Sequence, residues 1–388
     1  MYYNVDLHVH IGRTRNGRPV KITASPNLTV ENILNKCIEK GIDIVGIVDC
    51  AAPEILDEIE QLLKTEYGLY EELEGGGILF KQKVLLLLVS EIEVGGELRG
   101  SPHLLCFLKD IKSMRKFSEA LSKHVNNVNL STQRCSLNSV EILKIVEDLD
   151  GFVVPAHIFT PYKSYYGNTA DRLNYIFNEY FENVNAVELG LSSDTFLADM
   201  ISELRGKTFL SNSDAHSLQK IGREFNVFDL PKPDFTSLKA ALKSMKGVIR
   251  NYGLNPALGK YHRTFCLDCN KVANVDPPAH KCAYCNSKNI VFGVLDRIYE
   301  IKDQEMLHPP FRAEYVYQIP LEFLPGIGPK TIKKLTREVG SEIYVTHEAP
   351  FEQLKNSVGE KIAKNILDAR YGNLKIETGG GGIYGKII

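Results

Sequence analysis

His8 and His10 stand two positions apart in the run DLHVH, close to the start of the chain. In an extended strand successive side chains alternate faces, so the two imidazoles would share one side and Leu7 and Val9 the other. Paired imidazoles on one face suit metal ligation, and similar residue types recur over the next two hundred positions. Asp49 ends GIDIVGIVD, Glu91 ends KVLLLLVSE, His103 opens HLLCFL, His157 ends GFVVPAH, and Asp214 and His216 close SNSDAH. A solvated edge strand or a helix cap would account for any one of them. It would not account for a His, Asp or Glu at the end of five separate apolar runs. Imidazole and carboxylate together, without thiolate pairs, suit a multinuclear site of Zn, Mn, Fe or Mg that activates water. Glu188, ending NAVE, is either a further ligand or an acidic partner that orients a histidine.

Two other patterns carry chemistry. Cys266-x-x-Cys269 and Cys282-x-x-Cys285 are separated by twelve residues, the spacing of a zinc ribbon with four thiolates. Such a shell has no open position, so this zinc would be structural. In LPGIGPKTIKKL, Gly326 and Gly328 permit a tight turn whose amides approach a phosphate, and the helix that follows carries Lys330, Lys333 and Lys334. This is the pattern of a helix-hairpin-helix turn, which holds nucleic-acid backbone without reading sequence. Lys163 and Tyr165, in HIFTPYKSYYG just past a strand end, are candidates to pair with phosphate and stack on bases.

The elements that must position these residues follow from the apolar runs. Over roughly the first 230 residues, short continuous runs alternate with amphipathic stretches such as TVENILNKCIEK, SLNSVEILKIVEDL and RLNYIFNEYFENV. That alternation predicts strands covered on both faces by helices, and a parallel α/β barrel keeps its chemistry at the carboxyl ends of its strands. The full chain has 388 residues and a formal charge of -2, so any electrostatic footprint for nucleic acid must be local. The opening MYYNVDLHVH lacks the basic and apolar regions of a signal peptide, and no apolar run approaches a membrane span. With Cys37, Cys50, Cys106 and Cys135 scattered, reduced thiols, a cytoplasmic setting and no membrane partner are expected. The terminal TGGGGIYGKII receives no role beyond a flexible or strand-adding tail.

Taken in order, DLHVH, GIVDC, Glu91, His103, PAH and SDAH resemble the motifs of the PHP (polymerase and histidinol phosphatase) superfamily. SPNLTVENI, GIVDCAAPE, HIFTPYKSYYG and SNSDAHSLQKIGREF extend the resemblance to the endonuclease Q family, from residue 1 to near the end. The superfamily resemblance implies a distorted barrel of about seven strands and phosphoesterase chemistry on a metal cluster. The metal set is His8, His10, Asp49, Glu91, His103, His157, Asp214 and His216, holding two or three divalent ions. Of these, His8, His10, Glu91, His157, Asp214 and His216 carry the catalysis. Two departures bear on the metal count: Cys50 stands where many members have a histidine, and IGRTRNGRP offers arginines where another often lies. The expected layout is a metallo-phosphoesterase barrel over 1–255, a zinc ribbon over 256–300, and a helical DNA-binding module over 301–388. The closer resemblance implies a DNA repair endonuclease acting on duplexes with deaminated bases (uracil, hypoxanthine, xanthine) or abasic sites, with single-stranded DNA a second candidate partner. It would cut 5′ to the lesion and leave 3′-hydroxyl and 5′-phosphate ends. The rival readings are a phosphatase for a small phosphate monoester and a DNA-binding protein without catalysis.

Overall fold

The apolar runs become strands in the computed structural model, which describes residues 1–66, 68–306 and 308–387. Tyr2–Val9, Ile44–Ile47 and Val84–Val94 lie side by side in parallel. His103–Leu108 then pairs antiparallel with Val84–Val94, and Phe152–Pro155 pairs antiparallel with His103–Leu108. Ala186–Glu188 and Thr208–Leu210 form a parallel pair. Backbone bonds close the ring on both sides of that pair: Ile158 N donates to Glu188 O at 2.9 Å, and His10 N donates to Ala215 O at 3.1 Å. The result is the PHP-type distorted barrel, with His103–Leu108 as the strand that runs against its neighbours. Outside the ring, the first half of Tyr2–Val9 also pairs antiparallel with Phe225–Asp229. The sheet continues from there through Val248–Leu254 to Glu314–Gln318.

Two apolar clusters hold this layer structure together. Val5, Leu7, Leu87, Val89, Leu105 and Phe107 pack inside the strands and against Phe235 and Leu238 of the helix Phe235–Ser244. The outer cluster lies between the strands and the surrounding helices and includes Ile33, Leu34, Ile55, Leu56 and Met114. The helix Val30–Lys40 begins where its sequence signals: the Thr29 side chain accepts from Asn32 N, with Glu31 in the first turn. Ser139–Asp148 starts with a reciprocal capping box between Asn138 and Glu141. The stretch RLNYIFNEYFENV differs from the single helix its pattern predicts. It forms a short turn, Asn174–Phe177, and a 3-10 segment, Asn178–Asn183, because Asn178 takes φ +46° and breaks the repeat.

The ribbon carries a small antiparallel pair, Phe265–Cys266 with Ile290–Val291. Beyond it, the helices Pro329–Glu338, Glu342–His347, Phe351–Val358 and Glu360–Arg370 surround their own core of Leu324, Ile327, Leu335, Val345, Leu354 and Ile366. This module is tied to the barrel by Lys40 to Glu342 at 2.7 Å, Lys220 to Glu322 at 2.5 Å, and His347 Nε2 to Gln318 Oε1 at 2.8 Å. Among the described residues, no helix is long and apolar enough to cross a membrane.

Candidate active site

The first strand does not keep its expected alternation. Its register against Ile44–Ile47 shifts between Asp6 and Val9, so Leu7 joins the inner cluster and Val9 the outer one. Past that irregularity His8 and His10 face Glu91, in the carboxyl-terminal half of Val84–Val94, and both imidazoles are fully buried. His157 and Asp214 follow the ends of their strands at φ +28° and +46°. Left-handed backbone at a non-glycine residue costs about 1–3 kcal/mol, and such strain is typical of positions that aim a functional side chain.

Glu91 is the hub. Its Oε1 lies 2.7 Å from His103 Nδ1, 3.4 Å from His8 Nε2 and 3.5 Å from His157 Nε2. Its Oε2 lies 3.4 Å from His10 Nε2, accepts from Thr132 Oγ1 at 2.7 Å, and pairs with Lys21 Nζ at 3.3 Å. Asp214 Oδ1 stands 3.5 Å from the Nε2 atoms of both His8 and His10 and from His216 Nδ1. Three overlapping groups of donors result: His8, His10 and Glu91; His10, Asp214 and His216; and Glu91, His103 and His157.

The donor set fits divalent metal. The Nε2 atoms of His8 and His10 are buried without a hydrogen-bond partner, a cost that a metal ion between them and the carboxylates would remove. Their separations from the carboxylate oxygens are long for hydrogen bonds. They match the edge of a tetrahedron with metal–ligand bonds near 2.1 Å, which is about 3.4 Å. The opposite ring nitrogens are committed elsewhere. His8 Nδ1 donates to Glu188 at 3.0 Å and His10 Nδ1 donates to Asp49 at 3.2 Å, since an ionised carboxylate can only accept. Each Nε2 therefore presents its lone pair inward.

Asp49 is thus not placed as a metal ligand, contrary to the sequence reading. It sits behind the His10 ring and also accepts from Ile11 N at 2.5 Å. Glu188 plays the corresponding part behind His8, and is itself held by Asn212 Nδ2 at 2.9 Å. Asn212 continues through Asn226 to Asn251, a chain of buried amides crossing the strands. Replacing Asp49 by Ala should weaken metal retention in the barrel about 10- to 100-fold, the usual cost of losing such a partner. Elemental analysis after dialysis would measure it, with the metal of the four thiols as an internal standard that should not change.

The electrostatics agree with a cation-binding role. Burial alone would raise the Glu91 carboxyl, but His103 and Lys21 hold it well below the usual range. Burial is likewise outweighed at Asp214, where His8, His10 and His216 hold the carboxyl well down. Burial pushes His216 down to about 4 and also lowers His103. At His8, burial is overcome by Glu188 and Asp214, which raise it well above its ordinary value, the mark of an anionic surrounding that favours a cation, whether a proton or a metal ion.

Lys21 and Thr132 were invisible to the sequence reading because neither lies at a strand end; only their proximity to Glu91 reveals them. Tyr165 needs correcting in the other direction. Ser164 caps a short helical turn that directs the Tyr165 ring inward, where it is fully buried and its hydroxyl meets Ser139 Oγ at 2.9 Å. It cannot reach DNA. The exposed aromatic of that loop is Tyr162, edge-on to Tyr261 at 5.9 Å. Lys163 is half exposed and pairs with Glu93. Cys50 packs into the outer apolar cluster, away from the metal donors.

Beside the cluster opens a cavity of about 530 Å³, lined by His157, Asn212, Asp214, His216, Lys220, Arg223, Lys260 and the rings of Tyr162, Tyr261 and Tyr384. A larger concavity elsewhere on the surface, of about 1070 Å³, contains none of the metal donors. In the ribbon, the Sγ atoms of Cys266 and Cys285 are 3.6 Å apart and those of Cys269 and Cys282 3.4 Å. Those separations are far too long for a disulfide and near the edge of a tetrathiolate tetrahedron, about 3.8 Å.

Comparison with known proteins agrees with this geometry. Residues 194–246 match the family model for the PHP-associated region. The lesion-specific endonuclease PfuEndoQ from Pyrococcus furiosus is 30% identical and superposes with a TM-score of 0.84, covering 100% of this chain and 95% of that one. The chain belongs to the endonuclease Q family. An Endonuclease Q complex with a 27-mer duplex substrate carrying an abasic lesion at the active site gives the same TM-score and identity, covering 96% of that chain. The uncharacterized protein YqxK of Bacillus subtilis is 45% identical over 387 residues, spanning 98% of each chain. As an endonuclease Q family member the protein is an endonuclease with a divalent-metal site in a PHP barrel and a four-cysteine cluster beside it.

Proposed function

We propose that the protein is a DNA repair endonuclease that nicks duplex DNA 5′ to an abasic site or a deaminated base, leaving 3′-hydroxyl and 5′-phosphate ends. The observation that carries this reading is a cluster of three overlapping donor groups that presents His157, Asp214 and His216 to one cavity, beside Lys220, Arg223, Lys260 and three tyrosines. On this reading His8, His10, Glu91, His103, His157, Asp214 and His216 hold two or three divalent ions, and Cys266, Cys269, Cys282 and Cys285 hold a structural zinc. Divalent ions in such a site supply Lewis acidity toward a phosphodiester and its attacking water. The chain does the positioning. Glu188 and Asp49 fix the tautomers of His8 and His10, Lys21 balances the charge on Glu91, and Lys220, Lys260 and Arg223 offer cations to the DNA backbone.

We assign residues 1–255 to the barrel, 256–300 to the ribbon and, except for the strand Glu314–Gln318, which belongs to the barrel's sheet, 301–388 to the helical module. Gly326, Gly328, Lys330 and Lys333 form its helix-hairpin-helix contact with DNA backbone, and Lys163 lies near the path of the strand. A cavity of this size suits one nucleotide turned out of the stack, which costs least when the base is mispaired or missing. A phosphatase for a small monoester would have no use for the ribbon and the lysine-bearing hairpin, and the likeness to endonuclease Q runs through both.

The test is nicking of duplexes that each carry one uracil, hypoxanthine, xanthine or abasic site, with the cut and its termini mapped. Cleavage 5′ to the lesion and none of an undamaged duplex is expected. Hydrolysis of small monoesters without any nicking would overturn the assignment.

A further inference from the structure

We infer that the glycine-rich hairpin after residue 375 is part of the active site, and that Tyr384 contacts a backbone phosphate of the DNA bound there. The inference rests on the endonuclease reading above. The hairpin pairs Ile376–Glu377 with Lys386–Ile387, and the loop between them is stitched to the segment that follows the barrel's strand Val248–Leu254. Gly379 N donates to Ala257 O at 2.8 Å, Gly385 N to Leu258 O at 3.0 Å, and Gly382 N to Lys260 O at 2.9 Å. This close backbone approach is what the glycines are for. A side chain at Gly379 would fall 2.6 Å from Gly259 O, and one at Gly381, where φ is +63°, would meet the Phe265 ring at 2.4 Å.

The product of this stitching is the placement of Tyr384. Its ring lines the cavity shared with His157, Asp214 and His216. Arg223 Nη1 donates to the phenol oxygen at 2.8 Å, while Arg223 Nε donates to Ser213 O at 2.8 Å. The same guanidinium therefore ties the hairpin to the backbone next to Asp214. With its oxygen accepting from Arg223, the phenol keeps its own proton to donate, and among the described residues no acceptor takes it. Lys220 Nζ lies 6.0 Å from the ring centroid, and Phe323 of the helical module is 6.0 Å away. Tyr384 thus stands at the seam between barrel and helical module, a free donor beside Arg223 and near Lys220, which is itself paired with Glu322. Such a setting favours a phosphate oxygen over a base carbonyl.

The experiment is steady-state nicking by Tyr384→Phe on two duplexes, one with a single uracil and one with a single abasic site. Loss of one hydrogen bond to an anion should raise KM about tenfold on both, with kcat nearly unchanged, since the contact forms on binding. Metal content should match wild type. Tyr384→Ala, which also removes the ring, should raise KM further. An unchanged KM for both variants would overturn the inference, as would a fall in metal content in the Phe variant, which would mark a structural role. A loss confined to the uracil duplex would overturn the phosphate contact in favour of the base. Failure of the wild-type protein to nick either duplex would instead overturn the endonuclease reading, and is read before any variant is made.

Discussion

Glu91→Gln is expected to lower kcat/KM for lesion-containing duplex by roughly a thousandfold or more, while duplex binding survives. Glu91 belongs to two of the three donor groups, and its two oxygens face four imidazoles and Lys21. A neutral amide removes the charge that offsets those groups and replaces one carboxylate oxygen by an NH2, which has no lone pair to give a metal ion. Polarisation of the phosphodiester by metal is worth several kcal/mol, and each 1.36 kcal/mol is about tenfold in rate. Nicking assays and elemental analysis would check the two halves together: barrel metal should fall with activity, while the thiolate-bound metal stays. Circular dichroism guards against unfolding, because Lys21, largely buried, loses its paired carboxylate and keeps only Thr132 as a bonded partner. Wild-type nicking by Glu91→Gln would show that Glu91 is not the hub of the reaction.

Much of this site was legible because a barrel converts a one-dimensional pattern into a shared location. An apolar run ending in His, Asp or Glu names a residue at the mouth of the barrel, and His8, His10, Glu91, His157, Asp214 and His216 meet there for that reason. Spacing does not say which side of a residue faces the ion. Asp49 and Glu188 end strands just as Glu91 does, yet they stand behind the imidazoles. The irregularity between Asp6 and Val9 was illegible too, because a bulge depends on the neighbouring strand. Tyr165 failed for a local reason: a serine cap three residues before Gly167 turns the ring inward. The terminal run was read as no more than a flexible or strand-adding tail because the partners of its glycines, Ala257, Leu258 and Lys260, lie more than a hundred residues earlier in the chain.

The second large effect concerns grip and not chemistry. The turn before the helix Pro329–Glu338 holds Gly326 at φ +83°, and no atom of another residue would stand within 4 Å of a side chain at Gly326 or Gly328. Gly326 N and Gly328 N have no acceptor among the described residues and remain for an approaching phosphate, whereas Ile327 N donates to Leu324 O at 3.1 Å. Lys330 and Lys333 are exposed on that helix and make no ion pair among the described residues, whereas Lys334 reaches Ser357 O at 2.5 Å. Converting Lys330 and Lys333 together to Ala should therefore remove two phosphate contacts without disturbing the core of the module. Each contact contributes about 0.9 to the slope of log affinity against log salt, so the slope should flatten by about 2 and affinity should fall roughly tenfold or more near 0.1 M salt. The loss should be equal for damaged and undamaged duplex, because the turn reads backbone alone. Saturating-substrate kcat should hold, since neither lysine lines the cavity. Point substitution is the right tool here, because deleting the module would also remove Phe323 and the hairpin that carries Tyr384. Binding measured across a salt series decides the matter: an unchanged slope would mean that this hairpin does not touch DNA.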